Sequence, residues 1–234
     1  SAPLHISNHC GSECLYCANR KSNKAIERKY MTPPEMRQAA LKLIRQGHKR
    51  IFLVSGQLPN ADIEYLAEAI SILYTAFDGV GEVHSVNVNV GPPEAHECAG
   101  LPDAYVGTML IYQDTYHEAS YRAAHISGPK SDYYARLNAA DVAFQAGVPD
   151  VGSGLMLGLG PWQYDLLGVV HQQAHLLRAY NAGCRTLSLH RMRCAPGSNM
   201  QTPYPVSDSE YLRCVAIARL AVPYAGIILT TKEP

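Results

Sequence analysis

The sequence predicts an α/β fold, a parallel (β/α) TIM-type barrel left incomplete at about seven units, and three observations predict it. Apolar, β-rich runs alternate with helical patterns along the chain, the signature of repeated βα units. Several helical patterns close on glycine, as in "QAGV" and "NAGC", and a strand pattern follows within a few residues. At 234 residues, 47% of them apolar, the chain has the length and composition of one α/β barrel domain. A doubly wound open sheet is the rival architecture.

The elements follow in order. "PLHIS" (3–7) reads as the first strand, and "TPPEMRQAALKLIRQG" (32–47) as a helix with Thr32 as N-cap, prolines in its first turn and Gly47 as its stop. "RIFLVSG" (50–56) is the second strand; the helix over 60–77 places Ile63, Leu66, Ala67, Ile70 and Leu73 on one face. Further strands are expected at 85–90, 105–112, 151–159, 186–192 and 226–231, and helices at 93–99, 117–124, 131–146, 162–182 and 208–222. Parallel strands joined by right-handed helical crossovers curl into a barrel whose working loops lie at the strand C-terminal ends. The seventh strand runs directly into "TTKEP", where an eight-unit barrel needs a further helix, strand and helix. One barrel domain over residues 1–234, truncated at one or both ends, is therefore expected. "RCAPGSNMQTPYPVSD" (193–208) reads as a long loop over the active face.

Twenty Lys+Arg balance twenty Asp+Glu, so no broad basic surface is implied that would draw nucleic acid or anionic lipid. No stretch approaches about 18 uninterrupted apolar residues, and the N-terminus has no basic region followed by a long apolar run. A soluble, cytoplasmic protein with a small-molecule substrate is expected. Seven cysteines form an odd set: Cys10, Cys14 and Cys17 are crowded together, whereas Cys98, Cys184, Cys194 and Cys214 are scattered and read as mostly structural. That usage suits a reducing compartment.

The crowded three stand in "NHCGSECLYC". Two sulfurs three positions apart, with a third four earlier, can converge from one loop onto an inorganic centre. A zinc ribbon normally shows a second CxxC or paired histidines downstream, and none is evident; a dithiol redox pair would leave Cys10 idle. An iron–sulfur cluster is the reading these residues favour, with zinc, redox and structural roles as its rivals. Three thiolates on a cubane leave one iron without a protein ligand.

CxxxCxxC at the end of a first strand, with the aromatic Tyr16 before the last cysteine, resembles the signature of the radical S-adenosylmethionine (SAM) superfamily. "PLHISNHC", "CLYCANRKSNKAIERKYMT", "NVNVGP", "YQDTYHEASYRAAHISGPKSDYYARLNAADVAFQAGVPDVGSGLMLGL", "SLHRMRCAP" and "LAVPYAGIILTTKEP" are similar to stretches of its aromatic amino-acid lyases. That group holds the tyrosine lyases of thiamine synthesis and of [FeFe]-hydrogenase maturation, with a tryptophan lyase. The resemblance implies a [4Fe–4S] cluster on Cys10, Cys14 and Cys17, SAM as cofactor, a flavodoxin- or ferredoxin-type electron donor, and an amino-acid substrate. It implies a 5′-deoxyadenosyl radical that takes hydrogen from the amino group of L-tyrosine, after which the Cα–Cβ bond breaks to give dehydroglycine (2-iminoacetate) and a p-cresol-forming radical.

The resemblance also implies site residues. Tyr16, Gln57, Gln113, Asp114 and Arg136 would hold SAM: Arg136 its carboxylate, Gln113 and Asp114 the ribose hydroxyls, Gln57 the amino group. In the lyases the second of the ribose pair is Glu and the position of Gln57 is Glu. Gly154 and Gly158, in "GLMLGL", would let the adenine approach the backbone, tight packing being the alternative. Asn87 and Asn89 share a strand face, as do Arg191 and Arg193, and would bind substrate; a plain ion-pair role is the alternative for one arginine. His5 and Lys232 stand where the lyases have Tyr and Arg, and as catalytic-pocket residues they bear on substrate identity, since lysine lacks the planar fork that holds a carboxylate at two points. His175 aligns near a histidine of the maturase, although a core role is the commoner one for such a residue. The substituted shell also keeps open a non-catalytic Fe–S or SAM-binding scaffold, and a lyase acting on L-tryptophan or another amino acid.

Overall fold

A computed structural model describes residues 2–57, 63–77, 79, 81–89, 106–230 and 233. Lys232, Cys98 and the helix expected over 93–99 lie outside the described residues. Strands β1 (Ala2–Ser7), β3 (Arg50–Ser55), β4 (Ser85–Asn89), β5 (Val106–Asp114), β7 (Val151–Leu157), β8 (Thr186–Arg191) and β9 (Gly226–Leu229) form one seven-stranded sheet. Its order is β1-β3-β4-β5-β7-β8-β9, and every neighbouring pair is parallel. The strands run across the sheet in chain order with no reversal. That excludes the doubly wound rival, whose order must reverse at a switch point, and leaves the curled, incomplete barrel.

Between the strands lie α1 (Pro33–Arg45), α2 (Ile63–Tyr74), α3 (Glu118–Ala124), α4 (Tyr133–Gln145), α5 (Trp162–Tyr180) and α6 (Asp208–Ala221). Their starts are chemically marked. The Asp132 carboxylate accepts from the backbone N–H of Tyr134 and Ala135 ahead of α4, and Ser207 with Glu210 closes a capping box on α6. The outward strand residues pack under the helices: Leu4, Ile6, Ile51, Leu53, Val86, Val88 and Met109 join Met36, Ala40, Ile70 and Ala143 in one core. A second core gathers Leu155, Leu157, Leu187 and Leu189 with Trp162, Leu166, Val169 and Cys214. Because side chains alternate along a strand, Asn87, Asn89, Tyr112 and Ser188 are left on the concave face.

Two features go beyond the alternation. A two-stranded antiparallel piece pairs β2 (Glu13–Cys14) with β6 (His125–Ser127), bringing Cys14 opposite His125. Strands this short carry no readable period, so the sequence offers no sign of them. The register of β5 against β7 slips between Tyr112 and Asp114, a bulge that inserts Gln113. Asp114 follows it with φ 65°, in the left-handed region that Asp tolerates better than most residues.

Candidate active site at the C-terminal rim of the sheet

The loop that follows β1 carries Cys10, Cys14 and Cys17, and three other segments fix its shape. After β3, the Gln57 carbonyl accepts from Gly11 N–H at 2.7 Å and its side chain Oε1 accepts from Ser12 Oγ at 2.7 Å. Gly56 has to be glycine there, because a Cβ would lie 2.1 Å from the His9 carbonyl oxygen and 2.9 Å from Cys10 Cβ. After β6, Gly128 turns with φ 86° and a Cβ on it would lie 2.4 Å from the Gly11 carbonyl oxygen, so the chain passes flat against the cysteine loop. After β8, the 193–208 loop closes on the same segment: Ser198 Oγ donates to the Leu15 carbonyl at 2.7 Å and Asn23 Nδ2 to the Pro196 carbonyl at 2.9 Å. Arg28 completes the loop by donating to the carbonyls of Asn8, Asn19, Arg20 and Asn23.

The three thiols lie within electrostatic reach of one another: Cys17 and Cys10 raise the cost of ionising Cys14, and Cys10 that of Cys17. Burial pushes the Cys14 thiol up to about 12 and raises Cys17 as well. Both would keep their protons at neutral pH unless bound iron displaced them. The backbone N–H groups of Ser12 and Asn19 point at the sulfurs of Cys10 and Cys17, at 3.5 and 3.3 Å, as donors to a thiolate would. Among the described residues no group of three or more His, Cys, Asp or Glu side chains is placed to hold a metal ion. Three cysteines on one loop, two of them with a backbone N–H aimed at the sulfur, are donors of the kind an iron–sulfur cluster takes.

Beside the thiols is a buried polar network. Tyr16 Oη donates to Asp114 Oδ2 at 3.0 Å and lies 2.9 Å from His125 Nε2. The Lys130 ammonium pairs with Asp114 and donates to Tyr16 Oη at 3.3 Å. Burial alone would raise Asp114, but Lys130, the His125 hydrogen bond and the Arg136 charge outweigh it and hold the carboxyl well below the usual carboxylate range. Burial also lowers His125, whose Nδ1 lies 2.7 Å from the Tyr121 carbonyl.

Two atoms at this rim stand out because nothing answers them. Arg136, on α4, is 3% exposed; its Nε donates to the Tyr112 carbonyl at 2.6 Å, and its Nη1 is buried with no partner. Gln113, 2% exposed, donates through Nε2 to the Thr115 carbonyl at 3.4 Å, and its Oε1 is likewise buried and unpartnered. Buried polar atoms left without partners are rare, and an absent ligand is one accepted explanation. At this burial Arg136 is not an arginine on a solvated helix face.

The profile described as "Radical SAM superfamily" matches residues 4–163. The chain belongs to the radical SAM superfamily. Its members use a [4Fe–4S] cluster and SAM. A second profile, "Biotin and Thiamin Synthesis associated domain", matches residues 188–234, which hold the end of β8 and all of β9 of the same continuous sheet. The chain is 27% identical to the 2-iminoacetate synthase of Escherichia coli over 233 residues, 99% of this chain and 60% of that protein. A crystal structure of HydG, a maturase of the [FeFe]-hydrogenase, superposes with TM-score 0.95 at 37% identity, covering 100% of this chain and 52% of the other. HydG from Carboxydothermus hydrogenoformans gives TM-score 0.94 at 36% identity, covering 100% of this chain and 54% of the other. The chain thus spans about half to three fifths of the length of these relatives.

Within this radical SAM chain the remaining expected residues fall into place unequally. Cys10, Cys14, Cys17, Tyr16, Gln57, Gln113, Asp114 and Arg136 come together at the rim. Gly154 and Gly158 are filled by the protein itself: a Cβ on Gly154 would lie 2.4 Å from the Tyr112 ring, and one on Gly158, where φ is 109°, 2.6 Å from Thr202. Close packing accounts for both. Asn87 and Asn89 lie on the concave face, where Asn89 hydrogen-bonds Tyr112. Tyr112 Oη is 3.1 Å from Ser188 Oγ, and the Tyr112 ring stands 5.7 Å from that of His190. His5, exposed on β1, pairs in register with Val54.

Arg191 is engaged as an ion-pair partner: its guanidinium meets Glu233 at 2.6 Å and Asp208 at 2.7 Å, and lies 4.8 Å from the centre of the Tyr211 ring. Arg193 reaches Glu233 at 3.2 Å and is the more exposed of the two. His175 is neither a core residue nor at the rim; it is exposed on the outer helix α5 and bonds Asp141 at 2.7 Å. Sequence reasoning missed Lys130 and His125. Their only signal was the Gly-Pro turn in "HISGPKSD", which marks a sharp bend without saying what it faces.

Proposed function

We propose that the protein is a radical SAM carbon–carbon lyase acting on an aromatic amino acid, L-tyrosine. The single observation that carries this reading is the pair of buried, unpartnered atoms, Arg136 Nη1 and Gln113 Oε1, beside a cysteine loop built to hold a cluster. With cluster and SAM bound, the site would supply radical chemistry that removes a hydrogen from the tyrosine amino group, so that the Cα–Cβ bond breaks to 2-iminoacetate and a p-cresol-forming radical, which takes one electron from the donor and one proton to leave as p-cresol.

The chain's own residues bind and orient. Arg136 Nη1 offers a cation and a donor to the SAM carboxylate, while its Nε stays on the Tyr112 carbonyl and fixes the fork. Gln113 Oε1 accepts from a ribose hydroxyl, and Asp114 stays ionised beside it because Lys130 faces it. Gln57, whose Oε1 already accepts from Ser12, binds less of the SAM amino group than a free glutamate would. Asn87, Asn89, Tyr112 and Ser188 form a polar wall for the amino-acid substrate. His5 and Lys232 decide how its side chain and carboxylate are met, with Arg193 available to the carboxylate. A flavodoxin- or ferredoxin-type protein is the electron donor, and the cytoplasm the setting. The tyrosine assignment draws on the name of the 2-iminoacetate synthase relative and on the whole-chain similarity to HydG.

The test is anaerobic reconstitution with iron and sulfide, then reductant, SAM and each aromatic amino acid in turn. Tyrosine should yield 5′-deoxyadenosine and p-cresol together. 5′-Deoxyadenosine without p-cresol would move the substrate to tryptophan or another amino acid; no 5′-deoxyadenosine with any of them would favour the scaffold role.

A further inference from the structure

Lys130 is anchored through each of its polar groups. Its backbone N–H donates to Ser12 Oγ at 3.1 Å, its carbonyl accepts from Tyr121 Oη at 2.6 Å, and its ammonium holds Asp114 and Tyr16. The flat turn at Gly128 delivers it there, pressed on Gly11 and Ser12. The ammonium lies 5.9 Å from the centre of the Tyr16 ring, and its side chain is 19% exposed, so its field is only partly screened. Lys130 reaches the cysteine loop at two points, through Ser12 between Cys10 and Cys14 and through Tyr16 beside Cys17. Lys130 and Asp114 form one ion pair set between the cysteine loop and the end of β5.

We propose that Lys130 is a positioning and potential-setting residue: its charge holds Asp114 and Tyr16 in place and, opposed by Asp114, sets the reduction potential of the cluster on Cys10, Cys14 and Cys17. This rests on the reading of those cysteines as cluster ligands. The electron step involved is simple. The oxidised cluster takes up one electron from a chemical titrant such as dithionite; no bond breaks and no proton is transferred. A cation nearby favours the state carrying the extra electron, and an anion nearby disfavours it.

The experiment is a redox titration of the reconstituted protein without SAM, followed by the EPR signal of the reduced cluster, in the wild type, Lys130→Met, Lys130→Arg and Asp114→Asn. Lys130→Met should lower the midpoint by at least about tenfold in the reduction equilibrium, which is 59 mV for a one-electron couple. Asp114→Asn should raise it, and Lys130→Arg should restore the wild-type value. Opposite signs for the two neutral variants are what a charge effect produces and a general loosening of the loop does not. If Lys130→Met fails to load a cluster, Asp114→Asn decides alone, a rise supporting the proposal and no rise overturning it. Unchanged or same-sign shifts would overturn it with the cluster intact, whereas a wild type that loads no cluster would overturn the ligand reading instead.

Discussion

Asp114 ends β5 and faces the cysteine loop, whereas Asp165 stands on α5 and faces the turn that leaves β5. Both are buried, at 2% and 0% exposure, and they answer burial in opposite ways. Asp114 meets an ammonium, a histidine and an arginine, and is held ionised well below the usual range. Asp165 meets a hydroxyl and backbone N–H groups, with the His117 ring as a minor counter-charge: its Oδ1 accepts from Thr115 Oγ1 and Tyr116 N–H, both at 2.7 Å. Burial pushes it up to about 6. The difference lies in the partners, not in the burial. The Asp165 side of the turn is a structural brace, whereas the Asp114 side keeps a charge beside the cysteine loop, at the proposed cofactor rim.

The largest expected effect breaks the charged side. Asp114→Ala leaves the Lys130 ammonium without its carboxylate and should cost about 3 kcal/mol of stability, since stranding one member of a largely buried pair is costly. Urea unfolding at pH 7 measures it, and a loss below about 1 kcal/mol would place the pair among ordinary surface contacts.

The neutral side gives a smaller effect with a pH signature. An acid with a folded value of about 6 against an ordinary 3.8 is still protonated in the fold when the unfolded chain has already ionised. Stability therefore falls as pH rises from about 4 to about 6 and levels off above. Asp165→Asn should remove about 2 kcal/mol of that fall, about one pKa unit being worth 1.4 kcal/mol. Urea midpoints of the two proteins at pH 4 and pH 7 check it: equal pH slopes would contradict the brace.

The smallest effect sharpens the link to cofactor. Arg136→Lys keeps the charge but loses the fork, and should weaken SAM binding to the reconstituted protein about tenfold. His175→Ala, which breaks a surface pair on α5, should leave that affinity unchanged. Equilibrium binding on both variants distinguishes a rim contact from a general disturbance.

Much of this was legible in the chain. The seven strands and the helices among the described residues were, because alternation and helical periodicity with glycine stops are local signals, and the bounds of β3, β8 and α6 moved by a residue or so. The cysteine spacing was legible for the same reason. The rest depends on contacts distant in sequence. His125 faces Tyr16 from 109 positions away, and Lys130 reaches it from 114, through elements too short to show a period. The bulge at Gln113 aims two neighbouring side chains into the rim, which no pattern of residue types announces. Gly154 and Gly158 show the converse: a glycine-rich strand looks open in sequence, yet Tyr112 and Thr202 occupy the space.

The most direct measurement is the EPR spectrum of the anaerobically reconstituted, reduced protein before and after SAM is added. A [4Fe–4S] signal whose shape changes with SAM in the wild type, and is lost in Cys14→Ala, is the predicted result. A signal indifferent to SAM, or one that survives Cys14→Ala, would contradict the assignment of this rim as the cofactor site.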